Sequence, residues 1–194
     1  MAVKADRPNK ERLLDLVADH LLANGVAAVT LRGMARAVGS NNRMLLYYFG
    51  SKEELIVAAV KHAVLRFPSG QAFGRLDASA RPLAEALDEA WREISSDANL
   101  PWTRLFFEMF GLAAHQPGRF DEFLDIVGHL WPSRLEAAFR RHGCRPAAAR
   151  QAAAEVVALW RGLQMDLIST GERTRINRVH GVAIRRIVTR PTGR

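Results

Sequence analysis

The sequence predicts an all-α fold, on three observations. Apolar residues recur at the 3.6-residue helical period along most of the 194-residue chain. No segment shows the two-residue alternation of a strand. Gly, Pro and small polar residues break the pattern at helix-length intervals. Apolar residues make up 48% of the chain, enough for a packed core and against a disordered polymer. The expected architecture has about nine helices: an N-terminal three-helix domain, joined through a fourth helix to a larger helical domain.

The first helix is predicted over residues 10 to 24. Leu13, Leu14, Val17, Ala18, Leu21 and Leu22 share one face, and Asn24-Gly25 supplies the stop. Thr30 then suits an N-cap, with Leu31, Met34, Ala35 and Val38 following at i, i+3, i+4 and i+7. Gly39 ends that helix after two turns. Asn41 caps a third helix carrying Met44, Leu45, Tyr48 and Phe49, and Gly50 stops it. In Ser51-Lys52-Glu53-Glu54, Ser followed three residues later by Glu is a capping box for a fourth helix running to about Arg66.

Residues 67 to 81 contain Pro68, Gly70 and Gly74 and read as a connection. Beyond it, helices are expected over about 80 to 97, 101 to 115, 119 to 142, 146 to 170 and 173 to 190. Pro132 predicts a kink or break in the third of these, and Gly171 separates the last two.

Several function classes fall away. Cys144 is the single cysteine, so no intrachain disulfide or Cys-based zinc site forms within one chain. No apolar run approaches the ~20 residues of a membrane span. Met1 to Pro8 has no apolar h-region, so no signal peptide is read there and a cytoplasmic protein is expected. The six histidines are scattered, with no paired metal spacing, nucleophile elbow or phosphate-binding Gly loop; an enzyme is not expected, and neither is a cofactor. The formal net charge of +8 points to a polyanion or to a plain basic surface. Residues 1–66 hold ten basic and six acidic residues (net +4), residues 67–170 eleven and thirteen (net −2), and residues 171–194 seven and one (net +6).

Residues 30 to 49 form the informative constellation. Two short helices meet at a tight Gly39-Ser40 turn, with a longer helix before them. Apolar Leu31, Val38, Leu45 and Phe49 suit the inner faces, leaving Arg32, Arg36, Asn41, Asn42 and Arg43 outside. Such a helix-turn-helix pair fits a major-groove reader or an ordinary α-hairpin.

Residues 10 to 60 resemble the N-terminal domain of the TetR family of bacterial transcriptional regulators. The resemblance rests on Thr30-Leu-Arg-Gly-Met-Ala35, Gly39-Ser40-Asn41, Leu45-Leu46-Tyr47-Tyr48-Phe49 and Ser51-Lys52-Glu53-Glu54-Leu55. It implies a reading head over residues 8–66 and an effector-binding and dimerisation domain over 67–194. It also implies DNA contacts by Thr30, Arg32, Asn41, Asn42, Arg43, Leu46, Tyr47, Tyr48 and Lys52. Asn pairs bidentately with adenine and Arg with guanine, while Leu46 suits a thymine methyl. Arg43 and Leu46 depart from the usual small residue and Tyr of the family, which changes the operator expected and not the binding class.

By the same resemblance the larger domain encloses a small-molecule effector, with Trp102, Phe106, Phe110, Trp131 and Trp160 as candidate lining residues. The last two helices would form the homodimer surface, through Val156, Leu159, Leu163 and Leu167 on one and Ile176, Val179, Ala183 and Ile187 on the other. The expected partners are thus a double-stranded DNA operator, an effector and a second copy of the chain. The function implied is a ligand-released repressor; an activator or a protein-interaction module would use the same fold.

Overall fold

A computed structural model describes residues 7–190 apart from 28, 79 and 117. The described residues are helical nearly throughout: α1 (Arg7–Asn24), α2 (Leu31–Ala37), α3 (Asn42–Phe49), α4 (Lys52–Val64), α5 (Pro68–Ala78), α6 (Leu83–Ile94), α7 (Leu100–His115), α8 (Asp121–Asp125), α9 (Trp131–Arg141), α10 (Pro146–Thr170) and α11 (Arg173–Thr189). A 3-10 turn, Asp97–Asn99, precedes α7, and a π-helical turn, Ile126–Leu130, joins α8 to α9. No strand occurs among the described residues, and none of their helices is long and apolar enough to cross a membrane.

The chain divides into two compact units. One comprises the residues up to Phe67 together with Pro101–Leu124; the other comprises Pro68–Leu100 and Asp125 onward. In the first unit α1 packs on α2 and α4, and α3 on α2 and α4. Leu13, Val17, Leu21, Met34, Ala35, Leu45 and Leu55 form its fully buried centre. Burial of such aliphatic side chains contributes about 1.5–3 kcal/mol each, the main term holding these four helices together. Local bonds set the helix starts. Thr30 Oγ1 accepts from Gly33 N at 3.0 Å, Asn41 Oδ1 from Met44 N at 2.9 Å, and Ser51 and Glu54 form the reciprocal capping box that their spacing predicts.

In the second unit α10 is the central element, against α9 and α11, and α6 packs on α5 and α11. The core includes Leu76, Leu87, Trp91, Leu135, Phe139, Val156, Trp160, Leu163, Ile176 and Ile184.

Two elements differ from the sequence expectation. The predicted connection over 67 to 81 contains the eleven-residue helix α5. Pro68 suits a first turn. Ala72 and Leu76, four residues apart, are buried in the core that α5 shares with α6. That burial outweighs the roughly 1 kcal/mol each that Gly70 and Gly74 cost a helix.

The break expected at Pro132 takes the form of the π turn. Trp131 N donates to Ile126 O, passing over Val127 O, and Pro132 has no N–H to offer. Val127 O is therefore left without a helical donor. Nη2 of Arg161, reaching from α10, donates to it instead. Partial burial of that guanidinium lowers its pKa from the ordinary arginine value.

Candidate nucleic-acid interface

The turn between α2 and α3 is closed by two features. Gly39 takes φ +64°, in the left-handed region, and Ser40 N donates to Ala35 O at 2.8 Å. This turn and the Asn41 cap fix where α3 begins. Leu45 and Phe49 are buried beneath α3, so the rotation of the helix about its axis is set by the core. The opposite face is then free: Asn42, Arg43, Leu46 and Tyr47, at i, i+1, i+4 and i+5, are all exposed, and Tyr47 keeps 72% of its surface.

Tyr48 is half-buried; its hydroxyl accepts from Asn9 Nδ2 of α1 at 3.0 Å, and its ring meets Tyr47 edge-on at 5.2 Å. Thr30, Arg32 and Asn41 are exposed, with the Thr30 and Asn41 side-chain oxygens already accepting from backbone amides. For Asn41 this leaves the amide NH2 as the group free to face a base or phosphate. Lys52 sits half-buried in the first turn of α4, beside that helix's free N–H groups. That end of a helix carries a partial positive charge and suits an anion.

Two groups join this surface that spacing does not reveal. Lys10 Nζ lies over the Phe49 ring, 5.2 Å from its centre, and Asn9 holds Tyr48. Both come from α1, some forty residues away in sequence. Arg36 is exposed in the last turn of α2. A rigid helix presenting amides, a guanidinium, a phenol and an aliphatic tip amid cations has the donor set for base edges flanked by phosphates.

The other expected sites are distributed as follows. Trp102, Phe106 and Phe110 lie along α7 in one aromatic cluster, with ring centres 6.3 and 6.1 Å apart; Phe67, Phe107 and Phe123 join it. Trp131 and Trp160 belong to the second unit. The Trp160 indole N–H donates to His180 Nε2 at 3.0 Å, and His180 stacks on Trp91 at 4.9 Å.

Of the eight residues expected on a dimer surface, Val156, Leu163, Leu167, Ile176 and Ile187 are buried in the core of their own unit. Leu159 and Ala183 are half-buried, and Val179 is exposed. The outward faces of the two helices carry Met165 and Ile168 on α10 and Val182 on α11, which the stripes did not single out.

Residues 8–59 match the sequence pattern of the bacterial regulatory proteins of the tetR family. Residues 8–59 thus form a domain of the tetR family. It is 32% identical over 76 residues to the HTH-type transcriptional repressor NicS of Pseudomonas putida, a match covering 39% of this chain and 35% of that protein. The chain thus matches about a third of that repressor's length. A TetR-family transcriptional regulator from Rhodococcus sp. superposes with a TM-score of 0.75 at 17% identity, over 94% of this chain and 100% of that one. BioQ of Mycobacterium smegmatis superposes with a TM-score of 0.61 at 22% identity, over 92% and 97%. BioQ has also been solved with its natural double-stranded DNA operator; that structure superposes with a TM-score of 0.59 at 21% identity, over the same shares. At these identities the solved structures speak to the TetR fold.

Proposed function

We propose that this TetR-family regulator is a homodimeric repressor that reads a roughly palindromic DNA operator in the cytoplasm and is released by a small-molecule effector. The observation that carries this reading is the exposed face of α3. Asn42, Arg43, Leu46 and Tyr47 project from a helix whose start, stop and rotation are each fixed by the fold. Asn42 and Arg43 supply base-edge hydrogen bonds and Leu46 a methyl contact; Thr30, Arg32, Asn41, Tyr47, Tyr48 and Lys52 bind backbone phosphates or adjoining bases. Residues 8–66 act as the reading head and 67–194 as the regulatory part. The repressor relative and the operator-bound neighbour support the same reading.

The second copy docks on the outward faces of α10 and α11. The two helices form a hairpin closed at Gly171, and two ion pairs, Arg175–Asp166 and Arg190–Glu155, zip it. Met165, Val179 and Val182 are exposed apolar groups there, and Gly162 and Ala158 allow close approach. Two copies related by a two-fold axis would set their α3 helices in successive major grooves, ~34 Å apart. The aromatic cluster on α7 suits a flat apolar effector. An effector shifts the DNA-binding equilibrium only by its differential affinity for the two states.

The test is selection from a randomised DNA pool with the wild type and with Arg43→Ala. The variant is expected to lose discrimination at one symmetric pair of operator positions, worth ~1–3 kcal/mol per contact. A uniform loss over all sequences would place Arg43 on phosphate and remove it from base reading.

A further inference from the structure

We propose that Glu108 is a positioning residue for DNA reading: its carboxylate on α7 holds the loop that leads into α2 and so sets the pose of α3. The inference rests on the DNA-binding reading above. Glu108 Oε1 accepts from Ala27 N at 2.8 Å, across 81 residues of sequence. The carboxylate is also seated against Gly25. A Cβ built on Gly25 would lie 2.3 Å and 2.6 Å from its two oxygens, so the loop is shaped to receive it. Gly25 takes φ +75°, and its N–H continues the first helix by donating to Leu21 O at 2.8 Å. Thr30, the cap of α2, follows only three residues after Ala27. Glu108 reaches this loop's backbone from a distant helix.

The helix that bears Glu108 is itself rigidly held. Trp102, Leu105, Phe106, Met109 and Ala113 are buried on its other faces, and the Phe106 ring meets Phe107, Phe110 and Phe123. The segment following α7 is tied to α4 as well: Arg119 pairs with Glu53 in the first turn of α4 at 3.1 Å, and Lys61 pairs with Glu122 at 2.6 Å. The Lys61–Glu122 pair is solvent-exposed and weak, and in the other pair the Arg119 side chain is exposed. Glu108 is half-buried and acts on backbone, so it is the stiff link. A shift of α7 carries the carboxylate with it. The α1–α2 loop then follows, or loses its bond.

The test compares Glu108→Ala and Glu108→Gln with wild type on the strongest duplex recovered from a randomised pool, alongside a scrambled duplex. Glu108→Ala should weaken the selected duplex roughly tenfold while leaving the scrambled one within about twofold. Glu108→Gln keeps an oxygen acceptor for Ala27 N and should stay within about threefold of wild type on the selected duplex. Amide hydrogen exchange at Ala27 should accelerate in Glu108→Ala and not in Glu108→Gln, a reading that remains informative if binding cannot be measured for the Ala variant. Equal operator affinity of Glu108→Ala and wild type overturns the proposal. So does an equal loss by both variants, or an Ala27 amide that exchanges alike in all three proteins. Failure of the wild type to enrich any duplex would instead overturn the DNA-binding reading beneath it.

Discussion

His180 offers the sharpest quantitative test of the second unit. Its ring is 2% exposed, stacked on Trp91 and accepting the Trp160 N–H at Nε2. With Nε2 engaged as an acceptor, the ring proton sits on Nδ1, 3.3 Å from Asp88 Oδ1. A second proton would have to enter at Nε2 and displace the indole donor inside the core. Burial accordingly pulls the pKa from 6.5 down to about 4. The Asp88 carboxyl is held above its ordinary value by desolvation, with Arg185 and Arg92 opposing that rise.

Between those two His180 values the unfolded chain is protonated at this position and the folded chain is not. Stability is therefore full above pH 6.5 and falls as the pH drops towards 4. From pH 7.5 to pH 5 the loss from this residue alone is about 2 kcal/mol. The comparison is with His180→Gln, which offers Trp160 an acceptor and Asp88 a donor without a titrating ring. Urea unfolding at fixed protein concentration should show wild type losing about 2 kcal/mol more than His180→Gln over that interval. Parallel pH profiles for the two proteins would refute the buried, neutral imidazole.

Two other predictions concern packing and assembly. Arg161→Met keeps the apolar stem but strips Val127 O of the donor that replaces the missing Pro132 N–H; thermal unfolding should show a loss of about 1–3 kcal/mol, and an unchanged protein would mean that another donor serves that carbonyl. On the proposed homodimer, the wild type should sediment as a dimer and Val182→Glu, which sets a charge on the exposed face of α11, as a monomer; an intact dimer in the variant would place the interface elsewhere.

What the sequence disclosed follows the range of the interactions. Thr30, Asn41 and Ser51 were legible as caps because each bonds an amide three residues on, whatever the rest of the chain does. The outward face of α3 followed from its apolar partners Leu45 and Phe49. On α10 the stripe Val156, Trp160, Leu163 was equally visible, but periodicity marks a buried face without saying what buries it. Here the neighbours are α9 and α11 of the same unit, and Met165 and Ile168 are exposed on the other side of the helix. Glu108 stood out in the sequence only as a polar group for the effector site; its bond to the α1–α2 loop carried no signal, since the partner is a backbone amide 81 residues away. Helix α5 was hidden by two glycines whose cost is met by Ala72 and Leu76, in contacts that no local window contains.

The central claim is sequence-specific DNA reading by α3. Its most direct test is competition between the best duplex from a randomised pool and a scrambled duplex, titrated against the wild-type protein from 50 to 300 mM salt, roughly the range in which phosphate contacts are resolved. The account predicts binding that weakens steeply with salt for both duplexes, with a preference for the selected one that persists across the series. Equal affinity for the two duplexes, or binding indifferent to salt, would contradict it.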